Sequence, residues 1–334
     1  MIRVLLCLLA LLSPAFADPV EDFYKGSDIT ILIGHPPGGS YDIYAQLAAR
    51  HLGKYIPGHP NLIVQSMPGG AASKATAYFY HRAPQDGSMI ALFPETIAYV
   101  QLLDPVQGKW DVRKMHYIGS FAPVNTVFMG HRGGNITTIN DLLTRPANIG
   151  CTGRASQSFQ YPSMLKATEG LKLSIICGYD GSSAYTLALL RGEVDVVSKS
   201  WNSWRAEDRD NLDSGVLIPL MQAGLARAPE LAEVKLMQQT TDDPRAQAAL
   251  RFISAGAAIG RALVAPPGIP ADRLAALRAA FDAAIKDPAL IDEAAHGHVY
   301  LDPHSGVATQ AVSDAIIATP PDMVAVAEKA FQAE

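Results

Sequence analysis

Hydrophobic and polar positions along this chain follow two periods that take turns. Asp28–Ile33 sets Ile29, Ile31 and Ile33 at every second position, the period of a strand with one buried face. Ser40–Leu52 then sets Ile43, Leu47 and Leu52 on one side of a helix, with Gly53 as its stop. The exchange recurs. Asn61–Gln65 reads as a strand, Ala71–His81 as a helix, Pro84-Gln85-Asp86-Gly87 as a turn and Ser88–Phe93 as a strand. After Gly119 a second series predicts strands at Thr126–Gly130, Asn148–Cys151, Leu173–Cys177 and Val194–Ser198. It predicts helices at Thr138–Leu143, Phe159–Thr168 and Ala184–Arg191. Gly260–Ala265 is a further strand, followed by PPGIP and an amphipathic helix over Ala271–Lys286, and the end of the chain patterns as helix apart from His298–Leu301. Alternation of this kind predicts an α/β protein with mostly parallel sheets. No repeat, charge block or low-complexity linker divides the two series, which suits two lobes joined by crossing strands near residues 120–126 and 250–260.

The first residues have a different pattern. Arg3 is the only charge before Asp18, Val4 to Leu12 is unbroken apolar sequence, and Ala15-Phe16-Ala17 has the small-x-small form of a cleavage site. That reads as a signal peptide over residues 1–17, cleaved near Ala17, and predicts export; the alternative is a buried N-terminal helix. The most apolar later stretch, from Ile253 to Ile269, is cut by Arg261, Pro266 and Pro267, so no membrane span is expected there. With 334 residues, 49% of them hydrophobic, a sizeable core is available. Net charge is −5 and no Lys/Arg stripe forms, which argues against nucleic acid as a partner. Cys151 and Cys177 each end an apolar run without CxxC or metal-type spacing. Buried free thiols are the ordinary reading; a disulfide is open if the two runs are neighbouring parallel strands.

Candidate chemistry lies in the loops. GHPPGGSYD, residues 34–42, follows a strand and opens a helix, yet Ser40 and Tyr41 stand where a nucleotide-binding loop needs Lys and then Ser or Thr. Gly38 and Gly39 allow a tight turn that leaves helix N–H groups facing outward, an arrangement suited to a carboxylate. QSMPGGAAS, residues 65–73, repeats the device, with Gly69, Gly70, Ala71 and Ala72 baring the backbone. GRASQS (153–158) and GYDGSS (178–183) also join strands to helices. Ser156, Ser158, Ser182 and Ser183 could donate to a carboxylate or cap their own helices. Tyr41, Phe159, Tyr179, Trp201 and Trp204 read either as pocket walls or as core. No nucleophile elbow, HExxH pair or activated cysteine is present, and His296, His298 and His304 lack standard ligand spacing. The expectation is a binding protein, not an enzyme, with no metal and no cofactor.

PPGGSYD, then a strand and MPGGAAS, then APQDGSMIALF, resembles the N-terminal lobe of the tripartite tricarboxylate transporter substrate-binding proteins, the Bug family. GYDGSSAYTLALLRGEVDVV and VAPPGIPADRLAALRAAFDAAIKDP resemble the family's second-lobe and return segments, in the same order. The resemblance implies a periplasmic binding-protein fold of type II: two α/β lobes, 18–123 plus 255–334 and 124–254, with a ligand cleft between them. It implies a small organic acid held by backbone N–H groups of the two first-lobe loops, partly through water, and inner-membrane transporter subunits as partners of a monomer. The implied contacts are Gly38, Gly39 and Ser40, with Asp42 near the water network, and Gly69, Gly70, Ala71 and Ala72. On the second lobe they are Ser156, Gln157, Ser158 and Tyr179; Asp195 either touches the ligand or holds a strand end. The family's usual second loop is Pro-Gly-Ala-Gly-Gly, whereas this chain has Pro-Gly-Gly-Ala-Ala, so which amide meets the ligand stays open. A sensor for a signalling receptor would use the same site, and a secreted enzyme on this scaffold is the remaining alternative.

Overall fold

The computed structural model describes residues 18–104 and 106–332. The segment read as a signal peptide, 1–17, lies outside them. The strands are β1 (Asp28–Ile33), β2 (Asn61–Ser66), β3 (Met89–Leu92), β4 (His116–Ser120), β5 (Thr126–His131) and β6 (Ala147–Cys151). They continue as β7 (Leu173–Cys177), β8 (Val196–Ser200), β9 (Leu217–Ala223), β10 (Ala262–Ala265) and β11 (His304–Ser305). They form a six-stranded sheet in the order β11-β4-β10-β3-β1-β2 and a five-stranded sheet in the order β7-β6-β8-β5-β9. Each sheet is the centre of one lobe, and helices flank both.

The sheets are mixed rather than mostly parallel. β1 runs parallel to β2 and β3, and β6 parallel to β7 and β8. β5 and β10, which receive the chain after it crosses between lobes, are antiparallel to their neighbours. Such a strand starts at the crossing and runs away from it, whereas the β–α strands of the same lobe end there. Three strands were not expected from the sequence: β4, β9 and the two-residue β11. β9 contains Pro219, which argues against a central strand, but β9 is the sheet edge and its register with β5 slips beside that proline. The helices Ile97–Leu103, Trp201–Glu207 and Pro244–Ser254 were likewise missed.

Strand alternation sets the layers. Ile29, Ile31 and Ile33 face the helix Ser40–His51, packing with Tyr44, Leu47 and Ala48, while Leu32 joins Phe79 on the other face. The helix expected over Ala71–His81 begins at Ser73, because Ala71 and Ala72 adopt left-handed φ values of 50° and 76°. Ala72 is fully buried against Gly34: a Cβ on Gly34 would lie 2.3 Å from that of Ala72, so only glycine lets the first two loops cross there. The C-terminal helix Pro321–Gln332 rests on Ile97–Leu103 of the first lobe and on Gln157–Glu169 and Pro244–Ser254 of the second. One apolar cluster therefore runs through both lobes, and within it Tyr99 meets Phe252 and Phe159 meets Phe331, edge to face.

Cys151 and Cys177 are directly paired in the β6–β7 register and form a disulfide. This corrects the expectation of free buried thiols: parallel neighbours in that register put the two side chains on the same face, and Cys177 is exposed. With the two cysteines 26 positions apart in sequence, chain-entropy arguments assign the bond about 3 kcal/mol. The double variant Cys151→Ser, Cys177→Ser should melt roughly 5–10 °C below wild type in calorimetry, and reductant should produce the same shift in wild type only.

Candidate functional site

Strands β1, β6 and β7 each deliver a helix to the crevice between the sheets: Ser40–His51, Gln157–Glu169 and Ser182–Leu190. Their N-caps are Gly39, Ser156 and Gly181, and none makes a side-chain cap. Elsewhere Thr138, Asp243, Asp287 and Ser305 cap their helices in the ordinary way. The three uncapped starts line one cavity of about 240 Å³. Its walls include Gly38 to Tyr41 and Ala71 from the first lobe, and Ser156 to Ser158 and Asp180 to Ser183 from the second. Unpaired N–H groups and aligned peptide dipoles make this region electropositive without a formal charge. The lobes approach closely here: a Cβ on Gly181 would lie 4.0 Å from Pro36, and one on Gly39 3.8 Å from Glu207 Oε1.

The expected site residues do not all lie in this cavity. Asp42 sits just behind the loop, where its carboxylate accepts from the Gly38 N–H at 2.8 Å and from Gln46 at 3.2 Å. It therefore holds the turn closed and takes up the Gly38 amide. Gly69 and Gly70 are exposed and off the cavity lining, and Ala72 is buried against Gly34, which leaves Ala71 as the second loop's residue on the wall. Tyr179 packs edge to face on Tyr185 and is not a lining residue. Asp195 stands at the opposite end of β8, where its carboxylate and N–H bond the backbone of Asn148 at 2.8 and 2.9 Å. The strand's other end, Ser200, is the one that reaches the cleft. Trp204 is core, donating to the Val127 carbonyl.

The serines are less free than their sequence suggests. Ser156 Oγ donates to the Gly153 carbonyl at 2.7 Å and lies 2.6 Å from Ser158 Oγ, which itself accepts from the Thr152 N–H. Their hydroxyl protons are spent within the loop, so this lobe offers a ligand mainly backbone amides. Ser182 is turned toward Glu207. Lys199, nearly fully buried, pairs with Glu207 at 2.9 Å and Asp208 at 2.5 Å and lies over the Trp204 ring.

Sequence reasoning missed a polar cluster on the first-lobe wall. Tyr41 stacks on His35 with ring centroids 4.1 Å apart and donates to Glu95 at 3.2 Å. The Arg261 guanidinium lies over the other part of this assembly, 4.1 Å from the Tyr41 ring, and its Nε donates to Ser40 Oγ at 2.9 Å. Gln157, with its amide nitrogen turned to Glu95 and Thr126, joins the cluster from the second lobe. A signal existed in the sequence: Arg261 and Glu95 are single charges inside otherwise apolar runs.

A larger cavity of about 500 Å³ lies beyond Asn202, lined by residues such as Trp201, Arg205, Leu225 and Tyr300. The helices Trp201–Glu207 and Gly306–Ile317 that begin beside it are capped by Ser200 and Ser305, so these two helix starts differ from the uncapped starts of the smaller cavity. Among the described residues no group of three His, Cys, Asp or Glu side chains is placed to hold a metal ion, and no helix is long and apolar enough to cross a membrane.

Two lobes, each a mixed sheet flanked by helices, with the crevice at the strand ends, define the fold of a periplasmic binding protein. Among solved structures, the periplasmic binding protein BugD superposes with a TM-score of 0.72 at 18% identity, covering 92% of this chain and 98% of that one. R. palustris Rpa4515 with adipate gives 0.69 at 18% identity, covering 90% and 97%. MatC (Rpa3494) from Rhodopseudomonas palustris with bound malate gives 0.69 at 15% identity, covering 89% and 99%. At these identities the likeness establishes the fold, which is that of the Bug and TctC binding proteins. A UPF0065 protein in the TAR-I ttuE-ttuC' intergenic region of Agrobacterium vitis is 23% identical over 183 residues, 53% of this chain and 52% of that protein, so the match spans about half of that relative's length. No protein-family model matches the chain.

Burial and the nearby Arg261 charge push His35 down to about 3, so it is neutral in the folded protein across the physiological range. An unfolded histidine takes up its proton near pH 6.5, so folded stability tied to neutral His35 is complete above that pH and is lost as pH falls toward 3. Urea titrations between pH 6 and 4 should show wild-type stability falling with a slope steeper than that of His35→Gln, by up to about 1.4 kcal/mol per pH unit. Parallel slopes would show that His35 is solvated.

Proposed function

We propose that this chain is a periplasmic solute-binding protein of the Bug type. It captures a small organic carboxylate, a di- or tricarboxylate or an aromatic acid, by closing its lobes, and delivers it to a tripartite tricarboxylate-type membrane transporter. The observation that carries this reading is the convergence of three uncapped helix N-termini, from both lobes, on one small cavity. Anions are stabilised at such ends, and one that engages amides of both lobes at once favours the closed state by its differential affinity. Structural neighbours solved with adipate and malate support the ligand class. The bases for export are the N-terminal sequence and the disulfide, a bond that persists in oxidising compartments. The protein acts as a monomer, with residues 18–123 and the returning segment from 255 closing against 124–254. It performs no catalysis.

A thermal-shift screen with succinate, malate, citrate, adipate, benzoate and glutamate tests the reading. An acid at about a hundredfold its dissociation constant should add ~2.7 kcal/mol. Native mass spectrometry of the purified protein would reveal an acid carried through purification. Protein confirmed to be ligand-free that responds to none of these acids would overturn the proposal.

Two glycines separate the loops. Gly39 has ordinary φ of −88° and lines the cavity, so Gly39→Val should fold and lose binding by more than tenfold, as its branched side chain fills the anion position. Gly70 is off the lining with φ of +57°, so Gly70→Val should cost about 1–2 kcal/mol of stability with affinity unchanged. Calorimetric titration of both with the best acid of the screen separates the two loops.

A further inference from the structure

Arg261 immediately precedes β10 in the wall of the cleft and is 1% exposed. An arginine this deeply enclosed ordinarily has its donors matched to acceptors, because taking a charge out of water costs several kcal/mol. Here the matching is incomplete. Nε donates to Ser40 Oγ at 2.9 Å, but Nη1 has no hydrogen-bond acceptor; its nearest carboxylate oxygen, Glu95 Oε2, is 3.6 Å away. Glu95 is itself 1% exposed and is occupied by other donors, Tyr41 Oη and the Gln157 amide. Burial raises its pKa and Arg261 opposes that rise, so Glu95 offsets the guanidinium charge only in part. The consequence for Ser40 is geometric. Its oxygen already accepts from Arg261 on the inner side, and Ser40 lies on the cavity lining at the first turn of an uncapped helix. Its hydroxyl proton is therefore left to donate toward the cleft.

We infer that Arg261 is a positioning residue for recognition of an ionised carboxylate: it fixes the Ser40 hydroxyl as a donor beside the helix amides and supplies a buried positive charge, which Glu95 attenuates. This rests on the proposed acid-binding role and adds to it a charge requirement. The helix ends and the serine could hold a neutral carbonyl. The guanidinium makes the site prefer the carboxylate to a neutral amide of the same shape.

The two members of the pair then act in opposite directions on affinity, which a merely structural salt bridge would not produce. The measurement is isothermal titration of wild type, Arg261→Gln, Arg261→Lys and Glu95→Gln with succinate, malate and adipate, and with succinamide as the neutral counterpart of succinate. Wild type should bind at least one of the acids and discriminate against succinamide by tenfold or more. Arg261→Gln should weaken acid binding at least tenfold and lose that discrimination. Arg261→Lys, which keeps the charge, should recover part of both. Glu95→Gln should tighten acid binding severalfold. Melting curves of each ligand-free variant identify any that fails to fold; should Arg261→Gln do so, the Lys and Glu95→Gln variants decide by the same opposed signs. If acids bind to wild type but Glu95→Gln and the Arg261 variants weaken binding alike, or Arg261→Gln leaves it unchanged, the inference falls while the acid-binding role stands. If wild type binds none of the acids, both fall.

Discussion

In a parallel β–α unit the helix begins where its strand ends, so strand direction fixes where unpaired N–H groups collect. β1 in one lobe and β6 and β7 in the other all run toward the crevice, and the helices that follow them start at its rim. Antiparallel neighbours would have sent those helix starts to opposite ends of their sheets. The reversed strands are β5 and β10, which bring the chain across from the other lobe, and the two-residue edge strand β11. The electropositive character of the cleft follows from topology before any side chain is chosen.

Side chains then refine it. Asp42 uses its carboxylate to close the Gly38 turn. Lys199 is neutralised by Glu207 and Asp208, so its charge is largely internal to the second lobe. Arg261 is less well balanced, because its carboxylate partner stands beyond hydrogen-bond distance and is shared with a tyrosine and a glutamine. The first lobe thus carries the cleft's unmatched cation and the second presents mostly backbone, a division of labour between charge and dipole.

Much of the fold was legible because the alternation of periods 2 and 3.6 is strong where elements are amphipathic. The strand over Ile29–Ile33 and the helix over Ser40–His51 appear within a residue of their expected limits. What escaped was structure buried on both sides: IAYVQLL and GVLIPLMQA have no polar face, and Pro219 disguises an edge strand. The glycine turn at Gly38 and Gly39, which lines the cleft, could be read from the sequence, whereas the second glycine pair does not line it. Ala71 and Ala72 take up left-handed backbone where alanine is unexpected, turning Gly69 and Gly70 outward. Arg261, Glu95 and His35 lie far apart in sequence and only the folded sheet assembles them. Their sole early trace was two lone charges in apolar surroundings.

The apolar cluster that runs through both lobes has a bearing on how the molecule comes apart. Tyr99 and Phe79 of the first lobe share it with Phe159 and Phe252 of the second, and Phe331 on the C-terminal helix seals it. Neither lobe can lose this layer without exposing the other's half, so the two are expected to unfold as one cooperative unit despite their separate sheets. Any molecule held in the cleft would then be felt as stability of the whole chain rather than of a single lobe. Lobe movement in the folded state must pivot about this greasy spine instead of parting it.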